Sequence, residues 1–272
     1  PTGDDIRREI CERRDVPERI AQLKATVPAL EEPQMGIGPH CDDPFECDYK
    51  GYCWAHVPKE RSVFDLVRGG KRVWELYGRG VLRLEDIPEA EKLSAAQRTQ
   101  VDGWQRGRSV IDRARINEFV RSLQYPLHHL DFETLNPAIP LYDGTRPYQQ
   151  VPFQYSLHTE AVTGAEPTHR AFLADGKSDP RHAFIRQLLD DLGSTGDVLT
   201  YNMSFERGRL IELAQDLPQY AQAIEAILPR LKDLMVPFQQ GWYYLPTMNG
   251  SYSIKYVLPA TVPDLSYAKL NI

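Results

Sequence analysis

The spacing of apolar residues changes character near residue 122. Before that point apolar positions recur at helical intervals among many charged residues. Beyond it, short apolar runs predict strands at 127–132, 151–159, 169–173 and 198–201, with one helix starting at Asp179 or Pro180 and another capped by Ser204. Three strands followed by helix, strand and helix predict an α/β fold with a mixed sheet and flanking helices.

The same pattern divides the chain into three predicted segments. Residues 1–58 are cysteine-rich, residues 59–121 form a helical connector, and residues 122–272 form the sheet domain. In the connector, Ser94 and Gln97 have the spacing of a capping box, and we expect one long helix from there through Trp104 to Val120. The phrase around Gly78 and Gly80 loosely resembles a helix–hairpin–helix motif; a plain helical pair is the alternative interpretation.

Composition and charge narrow the class of protein. With 42% hydrophobic and 26% charged residues, the chain has the composition of a globular protein. It lacks any apolar run of the ~20 residues that a membrane span needs, so we expect no membrane partner and a cytoplasmic location. The connector is modestly basic between two acidic segments, which fits either a polyanion-binding face or a solvated helix surface. Because the first residue is Pro1, we expect a piece of a longer protein.

Two acidic residues at the end of the first strand are the leading candidates for chemistry. Asp131 and Glu133 are spaced i, i+2, so both side chains lie on one face of the strand. Two adjacent carboxylates repel each other unless a hard cation lies between them, and Mg²⁺ or Mn²⁺ is the expected ion. The alternative is a solvated strand end with two surface acids.

A second motif lies at the next strand-to-helix junction. Thr200–Arg207 contains Asn202, Phe205 and Glu206 in the spacing Asn-x-x-Phe-acid. Together with Asp131-x-Glu133, this resembles the two motifs of the DEDD 3′–5′ exonucleases, except that Glu206 replaces an aspartate. The phrase containing Asp233 resembles one in which the aspartate is structural.

The resemblance implies a fold, an activity and a set of site residues. It implies a ribonuclease H-like sheet and a 3′–5′ exonuclease that hydrolyses DNA or RNA with two metal ions, held by Asp131, Glu133 and Glu206. In this picture Asn202 and Phe205 shape the site, and Arg207 and Lys255 contact substrate phosphates. The rival hypothesis is a nucleic-acid-binding module with the same fold and no activity.

The cysteines carry a separate prediction. Cys41, Cys47 and Cys53 follow one another at intervals of six, and Cys11 lies far upstream. In a cytosolic chain, clustered thiolates favour metal over disulfides, and the spacing is not that of a zinc finger. The trio resembles the trailing cysteines of the iron–sulfur cluster in RecB-type nucleases. That resemblance implies a [4Fe–4S] cluster, with Zn²⁺ less favoured; Cys11 is either the fourth ligand or a buried thiol.

Two further phrases extend the resemblance to the entire chain. Residues 147–154 and 250–255 resemble a bacterial family of unknown function that joins a RecB-type nuclease to a C-terminal exonuclease-like domain. On this basis residues 1–58 would be a remnant of the nuclease domain. DEDD enzymes also use a fourth carboxylate on a late helix, and the chain offers no convincing candidate. We therefore expect that the exonuclease domain lacks its last helix.

Overall fold

The computed structural model describes residues 8, 15–26 and 35–265. The chain divides into two compact units, residues 1–58 and residues 59–272. None of the helices in the described ranges has the length and apolar character needed to cross a bilayer.

The first unit is built from short helices. It contains helix α1 (Asp15–Thr26), a 3₁₀ turn (Pro39–Cys41) and helix α2 (Lys50–Cys53). The Lys50 ammonium donates to the carboxylates of Asp42 (2.6 Å) and Glu46 (3.2 Å), which ties the loop between the two short helical elements to α2. Both pairs are solvent-exposed, so they stabilise this loop only modestly.

The second unit contains the remaining helices and both sheets. Its helices are α3 (Lys71–Gly78), α4 (Ala95–Arg106), α5 (Arg113–Arg121), α6 (Arg181–Leu192), α7 (Ser204–Asp216), α8 (Ala221–Ile227), α9 (Val236–Gln239) and α10 (Ile254–Thr261). Its strands are β1 (Val110–Ile111), β2 (Leu127–Leu135), β3 (Val151–Glu160), β4 (Thr168–Leu173), β5 (Asp197–Thr200), β6 (Leu231–Asp233) and β7 (Tyr243–Tyr244).

The helical part of this unit has its own core. Apolar side chains from the turns before and after α3 pack with α3 and α4, namely Val63, Leu66, Val73, Leu76, Leu84, Ile87 and Val101. The predicted capping box is confirmed: Ser94 Oγ accepts from the Gln97 amide, and Gln97 Oε1 accepts from the Ser94 amide. The single long helix is wrong, because Gly107 adopts the left-handed conformation (φ 62°) and ends α4 before β1 and α5.

The main sheet has the strand order β4–β3–β2–β5–β6. Strand β3 is antiparallel to β2 and β4, whereas β5 is parallel to both β2 and β6. The expected mixed α/β sheet with flanking helices is therefore confirmed. Since parallel strands end at the same edge, the residues that follow β2 and β5 are brought to one edge of the sheet.

One face of the sheet is buried by three helices. Alternate residues of β2 and β3, such as Leu130, Phe132, Tyr155 and Leu157, join apolar residues of α6, α7 and α8 in the largest core cluster. This alternation fixes which side chains point away from that core, and in β2 they include Asp131 and Glu133.

Candidate functional site

Asp131 and Glu133 lie side by side on the exposed face of β2. Each is exposed, whereas Phe132 between them is 4% exposed. Asp131 is paired with Ser156 of β3 and Glu133 with Gln154, and the register shifts by one residue directly after Glu133. A β-bulge of this kind bends the strand locally, so the acidic pair lies where β2 stops following its partner regularly.

The turn between β5 and α7 is held by an acid from β6. Asp233 accepts the amide N–H groups of Asn202 (3.0 Å), Met203 (3.1 Å) and Met235 (2.9 Å). Asn202 has a left-handed backbone (φ 70°), and Asp233 supplies the bonds that hold this turn. Asp233 is thus structural, as the sequence predicts.

Ser204 does not cap the following helix, contrary to expectation. It is the first residue of α7, and its hydroxyl donates to the side-chain oxygen of Asn202 at 2.7 Å. The amides that precede the helix are bound by Asp233 instead. A partner from another strand thereby replaces the local cap that the sequence indicates.

Glu206 lies in the first turn of α7 and is the most unusual acid in the region. It is only 3% exposed, and its Oε2 atom has no hydrogen-bond partner among the residues that the structure describes. Burial, with further contributions from the negative charges of Asp131 and Asp233, raises the pKa of Glu206 to about 7. The negative charges of Asp131 in β2 and Asp233 in β6 therefore act on Glu206 in α7 through space, although the three residues are far apart along the chain.

Asp131 is exposed as a residue, but its carboxylate has lost part of its contact with solvent. Loss of solvent around its carboxylate raises the pKa of Asp131, partly offset by a hydrogen bond from the Phe132 amide. A second buried polar atom without a partner, Thr200 Oγ1, lies at the C-terminal end of β5. Unpartnered buried polar atoms are uncommon, and such atoms are often places where an ion or an ordered water binds.

The described residues contain no group of three or more His, Cys, Asp or Glu side chains that could hold a metal ion. The candidate site therefore consists of a buried carboxylate at Glu206, the nearby Asp131, and an exposed acid at Glu133. A buried carboxylate with one free oxygen is costly while it is charged, and carboxylate oxygens are the donors that Mg²⁺ and Mn²⁺ favour. As placed in the described residues, the acids of this site do not form a grouped ligand set.

The other predicted site residues lie in α7 and α10. Phe205 is half-buried against the main core, and the Arg209 guanidinium lies over its ring at 5.5 Å. Arg207 and Lys255 are both exposed, in the first turns of α7 and α10. Tyr201 joins these two regions, because its hydroxyl donates to the carbonyl of Tyr252 at 2.6 Å. No local spacing pattern indicates this contact between residues 51 positions apart.

The cysteine trio lies in the first unit. Cys41 is buried, Cys47 is exposed and Cys53 is half-buried, and all three thiols are free. The Cys47 amide donates to the Cys41 carbonyl at 2.8 Å, which closes the loop between these two residues. Cys11 lies outside the described residues.

Part of the chain matches a protein family whose description assigns no activity. Residues 128–253 match a family described as a domain of unknown function (DUF2779), a span that contains Asp131, Glu133, Asn202 and Glu206. No solved structure matches the chain.

Two curated proteins are similar to this chain. One is "Uncharacterized protein UU173" of Ureaplasma parvum, 28% identical over 142 residues, which covers 48% of this chain and 20% of that protein. The other is "Uncharacterized protein MG366 homolog" of Mycoplasma pneumoniae, 28% identical over 142 residues, covering 48% and 21%. The matched region thus represents about a fifth of the length of either relative.

Proposed function

We propose that the second unit is a metal-dependent nuclease that hydrolyses phosphodiester bonds at the 3′ end of a DNA or RNA strand. The observation that carries this proposal is the buried carboxylate of Glu206 at the β5–α7 junction, whose Oε2 atom has no partner among the described residues and whose pKa is raised by burial and by the charge of Asp131. Acids with perturbed pKa values are more frequent at functional sites than elsewhere.

The sheet topology supports a ribonuclease H-like assignment. In the order β4–β3–β2–β5–β6 only β3 runs opposite to the other four strands. Asp131 and Glu133 lie in β2 beyond the end of its pairing with β5, and the second motif follows β5. In open α/β sheets, ligands bind beyond the carboxyl ends of the strands. The positions of Asp131, Glu133 and Glu206 agree with that rule.

Asp131, Glu133 and Glu206 would hold the divalent ions. When bound, such ions lower the pKa of water and stabilise the negative charge on the leaving oxygen. Because no three ligands are grouped beforehand, we expect the exposed carboxylates of Asp131 and Glu133 to turn towards Glu206 on binding. The pKa of Glu206 near 7 means that metal binding displaces a proton and strengthens as the pH rises.

The remaining residues position the substrate. The exposed cations Arg207 and Lys255 are available for strand phosphates, and Asn202 and Phe205 form the turn that supports Glu206. Water attacks the last phosphorus, and the bond from phosphorus to the 3′ oxygen of the preceding nucleotide breaks. A nucleoside 5′-monophosphate leaves, and the shortened strand takes up a proton to regain a 3′ hydroxyl.

A nuclease assay with matched acid variants tests this proposal. Single-stranded DNA and RNA oligonucleotides labelled at the 5′ end are incubated with a Mn²⁺ or Mg²⁺ series, and stepwise shortening from the 3′ end is measured. We expect Asp131→Asn and Glu206→Gln to lose at least about a hundredfold in rate. Asp190→Asn, an exposed acid on α6, is the control and should retain the wild-type rate. Metal-dependent cleavage that survives both site substitutions contradicts the proposal.

The second candidate function is a nucleic-acid-binding module without activity. The observation that favours it is the lack of a preassembled group of three metal ligands in the described ranges. Strand binding that is unaffected by chelators, with no shortening at any Mn²⁺ concentration, would support this alternative over hydrolysis.

We also propose that Cys41, Cys47 and Cys53 are remnants of a metal site, in line with the resemblance to RecB-type nucleases. Free thiols within a short stretch of loop and helix are suited to soft metals once deprotonated. Anaerobic purification followed by iron, sulfide and zinc analysis tests this point. Metal stoichiometry that is unchanged in Cys47→Ser excludes a role for the trio.

A further inference from the structure

A cavity lies next to the candidate site in the second unit. It is an open cleft of about 700 Å³, and its walls come from four distant stretches of chain: residues 65–67, 201–202, 235–239 and 249–254. Asn202 belongs both to this cleft and to the turn that carries Glu206. The volume is in the usual range for a small-molecule or nucleotide site.

The walls of the cleft are held rigidly. Gln100 is fully buried, and its amide donates to the carbonyls of Asp65 (2.8 Å) and Asn249 (3.1 Å) while accepting the Val67 amide (2.8 Å). One side chain of α4 therefore joins both rims. A Cβ on Gly250 would lie 2.6 Å from the Gln100 side-chain amide. Only glycine therefore lets the backbone pass this close to Gln100. The cleft is consequently preformed.

Backbone strain is concentrated around the same cleft. Asn202 (φ 70°) and Asn249 (φ 47°), which line it, are non-glycine residues in the left-handed region. Arg68 (φ 50°), whose guanidinium reaches the Tyr252 hydroxyl at 3.4 Å, is a third. Such conformations cost free energy and tend to occur at ligand-binding sites.

The lining is polar and aromatic but contains few charges. Tyr201 and Tyr252 supply aromatic surface, and hydroxyls and amides come from Ser251, Ser253, Asn202 and Gln239. Among the described residues that line the cleft, Asp65 is the one with a charged side chain, and it accepts the Ser62 amide at 2.8 Å. Ser253 precedes α10 without making a side-chain cap, so its hydroxyl faces no competing helix amide.

We infer that this cleft binds the base of a nucleotide in the strand whose phosphodiester lies at Asp131 and Glu206. Aromatic faces stack on bases, and amides and hydroxyls form hydrogen bonds with base edges. A phosphate would call for cations, and the described lining holds none; Arg68 reaches it only at the Tyr252 hydroxyl. The inference rests on the proposed nuclease function and adds base preference to it.

Nucleoside 5′-monophosphates provide a test that does not depend on cleavage. Binding of the adenine, guanine, cytosine and uracil monophosphates is measured by calorimetry in the presence of a chelator. Because amides and hydroxyls of the lining can form hydrogen bonds with base edges, we expect the wild-type chain to discriminate between bases by at least about fivefold. Ser253→Trp, which fills the cleft, should weaken binding by about tenfold or more. Ser194→Trp, an exposed serine before β5, is the matched control and should bind like the wild type.

A second pair of variants makes smaller changes, so that an effect on binding can be distinguished from misfolding. Gln239 lines the cleft from α9, and its neighbour Gln240 is equally exposed but does not. Gln239→Ala should change the order of base preference, and Gln240→Ala should not. Absence of binding by all four monophosphates at millimolar concentration overturns the inference, as does unchanged binding in both cleft variants.

The outcomes separate the cleft from the nuclease proposal. If Asp131-dependent hydrolysis is observed but base preference is identical in the wild type, Ser253→Trp and Gln239→Ala, the cleft inference fails and the nuclease proposal stands. If no hydrolysis occurs but monophosphate binding is lost in Ser253→Trp alone, the cleft inference is supported and the nuclease proposal fails.

Discussion

At the scale of single residues, two acids at the β5–α7 junction have different roles. Asp233 is satisfied by three backbone amides, so its charge stabilises the fold. Glu206 is buried with an unpartnered oxygen, so its charge is a cost to the metal-free protein. A residue that destabilises its own fold in this way is a strong candidate for function.

The first prediction concerns the pH dependence of stability in Glu206→Gln. The pKa of Glu206 is raised in the folded state, so folding is favoured when the carboxyl is protonated and is weakened as the pH rises from about 4.5 to about 7. In the presence of a chelator, the free energy of unfolding of Glu206→Gln should exceed that of the wild type by up to roughly 3 kcal/mol above pH 7. Near pH 4 the two proteins should be equally stable. Urea unfolding at several pH values measures this difference. A constant difference across the range contradicts the assigned environment.

At the scale of elements, the sequence is informative where signals are local. Alternating apolar residues locate β2 to β5 closely, and the i, i+2 spacing places Asp131 and Glu133 on one face, as observed. The same reasoning fails where a residue's hydrogen-bond partner is distant along the chain. The local pattern predicts the wrong role for Ser204 because the bonds to the turn come from Asp233 in β6. It predicts one long helix in place of α4 and α5 because helical periodicity continues beyond Gly107.

Glycine substitutions test the helix break. Gly107 has φ 62° at the end of α4, so Gly107→Ala should destabilise the chain by about 1 kcal/mol through left-handed strain. Gly78 is exposed in the last turn of α3 with open space around it, and Gly78→Ala should be neutral or stabilising by about 0.5 kcal/mol. Equal effects of the two substitutions on the midpoint of urea unfolding would show that Gly107 does not end the helix by its conformation.

At the scale of the whole molecule, the candidate site and the cleft depend on contacts between distant parts of the chain. The match to the family of unknown function ends at Ser253, whereas Asp65 and Gln100, which shape the cleft, precede the matched region. The bond between Gln100 and Asn249 spans 149 residues, which no spacing pattern could reveal. Likewise, only a family resemblance, and no spacing pattern, predicts that Asp131 and Glu206 belong to one site. The burial of Glu206 is visible only in the folded structure.

Direct measurement of Mn²⁺ binding tests the central claim, namely that the junction of β2, β5 and α7 holds a divalent ion. Free Mn²⁺ is titrated by electron paramagnetic resonance at pH 8 against the wild type, Asp131→Asn, Glu206→Gln and the control Asp190→Asn. We predict saturable binding in the wild type and the control, weakened at least about tenfold in both site variants. Identical titrations for all four proteins, or no saturable binding in the wild type, would contradict the account.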